Sequence, residues 1–446
     1  MSIRLMNIRK TKIVLLVLAV AGLFALSVES RRIHANSSGP SASRTGAPAI
    51  GSFGAELNCS SSGCHSTYAL NSGTGTLSIN GVPTYYLPDQ EITLTVTMNQ
   101  ASRGAYGFQL TAVDAQGNRA GTFTTSDNRT QLLNGTGSFT GRRYIQHSFS
   151  GISATGTNQA SWTFKWKAPA TPSGKVTFYA AGNAANGTGT SSNDYIYTTS
   201  KSIDPLPYAA VSAASYSPTN VVSSEMISAL YSIGMAAGTL TATTLPLPTQ
   251  LGETTVEFQD STGKVSNSPL FFVSAGQVNF LVPANTPNGS ATVRVKRNGT
   301  TVVQGAIDVQ QVSPGIFTAA SSGQGVAAAY FDRRENSNPS LPITELTFRV
   351  NPTIEAVPYD LTRPNSSVYL VLFGTGLRWR SSLGGVSVSL RGENYPALYA
   401  GEAPGYAGLD QIVIGPLPAT LNGAGTVNVV VTVDGKTANT VTVAFK

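Results

Sequence analysis

Short runs in which apolar and polar residues alternate, each closed by Gly, Pro, Asn or Asp, recur along this chain from residue 76 onward. EITLTVTM (Glu91 to Met98) is the clearest. Its Ile, Leu, Val and Met occupy every second position, so in an extended strand they line one face. Thr76 to Ile79, Tyr106 to Val113, Ser161 to Trp166 and Lys175 to Ala180 repeat the pattern. No helical period of any length interrupts them. Such spacing of short strands and turn residues predicts an all-β chain of sandwich modules. Only 11% of the residues are charged, against about 25% in an ordinary soluble domain. With 41% hydrophobic residues the chain has enough apolar matter for several cores, and 446 residues suggest about three folded units at roughly 100–200 residues each.

The chain opens on an export signal. Arg4, Arg9, Lys10 and Lys12 precede an uninterrupted apolar run, Ile13 to Leu26, the layout of a secretory signal peptide. The run is shorter than the roughly 20 residues a spanning helix needs. Cleavage after Ser30 or Ala35 is expected, with an uncleaved anchor through residues 13–26 as the alternative; either way the mature chain lies outside the cytosol. Residues 1–30 are thus signal or anchor, and 31–50, small, polar and rich in Pro and Gly, read as a flexible linker. The net charge of +7 is spread thinly outside the leader. No basic stripe with interleaved aromatics marks a nucleic-acid surface, and no nucleic-acid partner is expected.

Composition changes around Asp204-Pro205-Leu206-Pro207, which separates a first module (51–203) from the rest. Beyond it lies an internal repeat. AGQVNFLVPANTPNGSATVRVKRNG (Ala275 to Gly299) parallels GLDQIVIGPLPATLNGAGTVNVVVTVDG (Gly408 to Gly435), and LGETTVEF (Leu251 to Phe258) parallels LGGVSVSL (Leu383 to Leu390). Each long copy ends in Asn-Gly or Asp-Gly, the pair a tight hairpin needs. Two copies of one unit follow, 207–312 and 313–446.

Residues about 45–203 resemble the Reeler-type domain and its bacterial relative, the choice-of-anchor V domain. The carriers are Thr45-Gly46-Ala47-Pro48, Cys59 and Cys64-His65, YGFQLTA (Tyr106 to Ala112), YIQHS (Tyr144 to Ser148) and FKWKAPATPSGKVTFYAAG (Phe164 to Gly182). The resemblance implies an extracellular β-sandwich; it departs from the bacterial pattern in having C-x4-C-H where C-x-x-C-H is usual. Residues about 207–446 look like a C-terminal domain family abundant in Acidobacteria, first described in Solibacter. AAVSAASYSP (Ala209 to Pro218), SPLFFVSAGQVNFLVP (Ser268 to Pro283), SPGIFTA and YAGEAPGYAGLDQ (Tyr399 to Gln411) carry it. It implies immunoglobulin-like modules without an established activity. Three β-sandwich, immunoglobulin-like modules in series are therefore expected.

One constellation carries chemistry. The chain has two cysteines, Cys59 and Cys64, which in an oxidising compartment are expected to pair as a disulfide. Stabilisation of about 2 kcal/mol follows from so small a ring. The alternative uses His65, next to Cys64: a Cys/Cys-His motif attaches c-type haem, with the histidine as axial ligand. His147, the other histidine outside the leader and linker, would join His65 in a bis-histidine haem or a small metal site. No nucleophile elbow, P-loop, zincin motif or EF-hand loop is present. The acidic pairs Asp89/Glu91 and Glu253/Glu257 are the only glycosidase-like candidates weighed, and they read as solvated strand charges. Trp162, Phe164 and Trp166 share one strand face, read as core. Tyr195 and Tyr197 share another, and with the polar loop Ala180 to Asp194 they are the candidate ligand contacts.

A secreted or cell-surface, non-enzymatic binding or adhesion protein, engaging an extracellular protein or glycan and carrying no cofactor, is the leading expectation. A haem c or metal-binding redox protein built on Cys59, Cys64 and His65 is the alternative, and a glycan-active enzyme the third.

Overall fold

The computed structural model describes residues 36–61, 64–217 and 219–446. The expected signal or anchor, with the apolar run 13–26, lies outside these residues. Contacts divide the chain into two units, meeting between Pro205 and Leu206. All regular structure among the described residues is strand, apart from four single 3-10 turns.

The first unit holds ten strands: β1 (Thr76–Asn80), β2 (Tyr85–Tyr86), β3 (Glu91–Asn99), β4 (Ala105–Val113), β5 (Thr122–Thr125), β6 (Thr130–Asn134), β7 (Arg143–His147), β8 (Gln159–Lys167), β9 (Val176–Ala185) and β10 (Tyr195–Pro205). A four-stranded sheet runs β1-β3-β8-β5 and a six-stranded sheet β2-β10-β9-β4-β7-β6. The alternation in the sequence decides which faces meet. Ile92, Leu94, Val96 and Met98 of β3 and Trp162, Phe164 and Trp166 of β8 are all buried in one core with Phe108 and Phe178 from the other sheet. Trp166 meets Phe178 edge-on at 5.0 Å, and Phe108 lies 4.7 Å from Trp162. Each indole N–H finds a carbonyl, Trp162 that of Gly151 and Trp166 that of Ala120, so the aromatic face is core, as its period suggests.

β4 is buried on both faces, Gln109 and Thr111 included. The cover on its outer side is residues 36–60, which corrects the expected linker 31–50 over its described part. Ala47 and Thr45 are buried. Gln109 accepts from the Arg44 N–H and donates to the Ser41 carbonyl. Glu56, wholly buried, accepts from Arg142 Nη1 at 2.6 Å, from Tyr144 Oη at 2.7 Å and from Thr45 Oγ1 at 2.5 Å. Gly and Pro in this stretch mark turns of a strapped segment; side-chain polarity there serves buried hydrogen bonds, which composition does not distinguish from solvation.

Among the described residues the second unit contains two large cores, one gathered from Ala210 to Val309 and one from Val312 to Phe445, and a small third cluster of Val211, Ala213 and Ala229. The repeat reappears as equivalent pairing. Thr254–Gln259 pairs with Gly289–Arg297, and Val386–Leu390 with Gly425–Val433. Gln277–Leu281 pairs with Ile227–Tyr231, and Asp410–Ile414 with Ser366–Thr375. Buried Asp410 closes the second copy, accepting from the Leu377 N–H and from Arg378 Nε at 2.8 Å.

Candidate functional site

Asn58 starts the turn that carries the cysteines. Its Oδ1 accepts from the N–H and hydroxyl of Ser60, an Asx turn, and its own N–H donates to Ser61 Oγ. The Cys64 N–H then bonds the Ser61 carbonyl, and the His65 N–H the Cys59 carbonyl at 3.0 Å. These bonds bring His65 back beside Cys59. Both thiols are free in this structure, where the sequence expects a bridge; they line a common cavity instead.

That cavity has a volume of about 270 Å³, and Cys59, Cys64, His65, Phe108, His147 and Asn183 contribute to its wall. Tyr106 and Ile152 add apolar surface, and Arg44 contributes a cationic side chain. Desolvation is the largest influence on Cys59, with the neighbouring Cys64 adding to it and Arg44 opposing; together they push its thiol up to about 12. The sulfur is thus a neutral thiol at neutral pH.

His65 is held from one side. Its Nδ1 lies 2.7 Å from Oδ2 of Asp194, a carboxylate with no exposed surface. Asp194 Oδ1 accepts from the Asn186 N–H, which ties the same carboxylate to the loop after β9. Asn183 Nδ2 approaches the imidazole at 3.4 and 3.5 Å from its two nitrogens. Asn183 Oδ1 is buried without a hydrogen-bond partner among the described residues.

His147 ends β7, and its ring continues the ladder to β4. Nδ1 is 3.0 Å from the Phe108 N–H nitrogen and 3.1 Å from the Phe108 carbonyl oxygen. Burial lowers its pKa, more than hydrogen bonds to the backbone of Phe108 and Asn36 raise it, so the ring is neutral at pH 7. The Phe108 N–H donates to Nδ1, so in the neutral ring Nδ1 is the acceptor and Nε2 carries the proton. Gly107 makes room for the ring: a Cβ there would lie 2.5 Å from its Cε1.

The residues singled out in the sequence divide in two. Cys59, Cys64, His65 and His147 converge. Tyr197 does not serve as a ligand contact: it is buried in the core, and its hydroxyl bonds Gln100 and the Gly75 N–H. Tyr195, on the same face, is stacked under Tyr68 at 4.3 Å with Arg103 above its ring. Of the stretch Ala180 to Asp194, read from the sequence as a polar loop, residues 180–185 belong to β9, and the rest is pinned by Asp194, by Asn186 Nδ2 on the Ser192 carbonyl and by the Asn193 N–H on Thr67 Oγ1. Each carboxylate weighed as a glycosidase acid carries a cation: Lys167 for Asp89, Lys165 for Glu91, Arg297 for Glu253, Arg294 and Lys296 for Glu257. Among the described residues no cluster of three or more His, Cys, Asp or Glu is close enough to hold a bare metal ion. Sequence reasoning placed Asn183 and Asp194 only within the candidate stretch Ala180 to Asp194, without giving either a role, and missed Gly107. Gly107 left a trace as well, a glycine inside a strand, which signals close approach of another group.

Residues 57–184 match the Reeler domain model. No curated protein matches the chain significantly. Among solved structures, the reeler domain of human F-spondin is similar at 20% identity, covering 31% of this chain and 95% of that one with a TM-score of 0.22. The Reelin-N domain of F-spondin follows at 19%, covering 32% and 95%, TM-score 0.22. A cohesin module from a Clostridium perfringens glycoside hydrolase is similar at 11%, covering 30% and 96%, TM-score 0.22.

Proposed function

We propose that this is an exported, extracytoplasmic haem protein: a Reeler-type sandwich that carries a covalently attached haem of the c type, followed by two immunoglobulin-like modules acting as spacer or display. One observation supports it above the rest. The chain's two cysteines and two of its three histidines, 88 positions apart at the extremes, line a single cavity. A disulfide alone gives no role to His147 there.

The residues fit the group chemically. Cys59 and Cys64 would hold it through thioether bonds, His65 would supply an imidazole nitrogen to its iron, and His147 lines the same cavity. Tyr106, Phe108 and Ile152 would give the group an apolar side, and Arg44 would offer a cation for its acidic substituents. Bound there, haem supplies a one-electron redox centre. A bare metal ion suits the site less well, because the four side chains surround a space and do not meet at a point.

The Reeler match equally supports an extracellular adhesion-type module, in which Cys59 and Cys64 would be a disulfide and the ligand a surface protein or glycan. Intact-mass measurement of the exported protein separates the two. Haem adds its own mass and a Soret band, both lost together in the Cys59→Ser/Cys64→Ser variant. A loss of two hydrogens and a colourless protein, from a host equipped for c-type haem attachment, would overturn the haem reading in favour of the adhesion module.

A further inference from the structure

We infer that Asp194 is a positioning residue for His65, fixing its tautomer and strengthening it as a donor, so that the centre is poised at low potential. The redox part rests on the haem reading; the tautomer part does not.

A carboxylate with no exposed surface needs its lone pairs occupied. Asp194 uses one oxygen on the Asn186 N–H and the other on His65 Nδ1 at 2.7 Å. A contact that short between nitrogen and carboxylate requires a proton between them, so Nδ1 is the protonated nitrogen. In the neutral ring the lone pair is then on Nε2; the Asn183 amide nitrogen lies 3.4 Å from Nδ1 and 3.5 Å from Nε2 and does not choose between them. The buried carboxylate of Asp194 thus sets the tautomer. Its free nitrogen belongs to the ring that lines the cavity.

Hydrogen bonding of a ligating imidazole to a carboxylate raises its basicity. A more basic ligand favours the oxidised, more positive iron over the reduced one, which lowers the reduction potential. Position follows from the same bond. Asp194 precedes β10, Asn186 follows β9, and the loop they close holds His65, which sits in a segment without regular structure, against the six-stranded sheet.

The test uses the full mature chain, exported from a host that attaches c-type haem, as wild type, Asp194→Asn, Asp194→Glu and Thr67→Ala. Thr67→Ala removes the hydroxyl that accepts from Asn193 and loosens the same loop without touching His65. Spectroscopic titration of the haem is expected to give a more positive midpoint for Asp194→Asn, a smaller shift for Asp194→Glu and none for Thr67→Ala. An unchanged midpoint in Asp194→Asn at equal haem content would overturn the inference, as would an equal shift in Thr67→Ala. In the haem-free chain, nitrogen-15 NMR of the imidazole is expected to show the Nδ1–H form of His65 in the wild type and its loss in Asp194→Asn. An Nε2–H form in the wild type also overturns the inference. A wild-type chain that takes up no haem sinks the haem reading alone, and the NMR result then decides the role of Asp194.

Discussion

Gly107 of β4 and Asn183 of β9 are directly paired across the six-stranded sheet, and each touches one of the cavity's imidazoles, Gly107 that of His147 and Asn183 that of His65. Directly opposed residues of an antiparallel pair present their side chains to the same face. Two histidines 82 positions apart in sequence are thereby gathered over neighbouring points of one sheet.

Gly107→Ala is expected to push the His147 ring off the Phe108 backbone, because the new methyl would sit 2.5 Å from Cε1. Overpacking of this kind costs about 1–3 kcal/mol. Urea unfolding measures the loss, and the His147 imidazole resonances report whether the ring has moved.

Acid is expected to destabilise the first unit through His147. Its pKa in the fold lies below the ordinary 6.5, so on acidification the unfolded chain binds a proton before the folded one does. Stability then falls as pH drops from 6.5 through the folded value. His147→Gln should flatten that slope in urea titrations compared between pH 7 and pH 5.

Cys59 in the haem-free, reduced protein is expected to resist alkylation at pH 8 and to react once the chain unfolds. The folded thiol ionises at about 12 against an ordinary 9.0. Over that interval the unfolded state has lost a proton the folded state keeps, so stability falls as pH rises through it. Peptide mass spectrometry after brief iodoacetamide treatment, with and without denaturant, reads the protection.

Glu56→Gln is expected to cost about 3–5 kcal/mol, the usual penalty for leaving one member of a buried ion pair alone. Arg142 would keep its bond to the Gly117 carbonyl and its place over Phe53, but its charge would lie buried and uncompensated. The double variant Glu56→Gln/Arg142→Met should recover part of the loss in urea unfolding, since it removes both charges.

The strands, the internal repeat and the aromatic core of β8 were legible because each follows from a local period: alternate residues of a strand share a face whatever lies beyond it. Cys59, Cys64 and His65 were legible as a motif, and His147 as the one histidine left to join them. Residues 36–50 were not, since Ser, Thr, Gly and Pro that satisfy buried hydrogen bonds look the same in sequence as those that bind water. Tyr197 misled for a related reason. Its period matched Tyr195, but Gln100 and Gly75, which hold its hydroxyl inside, belong to distant segments.

By itself, then, the sequence determined that this chain is all-β, repeated in its second half, and provided with a single Cys/Cys-His element. Tertiary structure alone decided that this element shares a cavity with His147, that Asp194 is the buried partner of His65, and that Gly107 leaves the space for a ring. The physical reason is register. Which residues of β4, β7 and β9 stand side by side is set by hydrogen-bonded pairing between strands far apart in the chain, and no period along one strand encodes it.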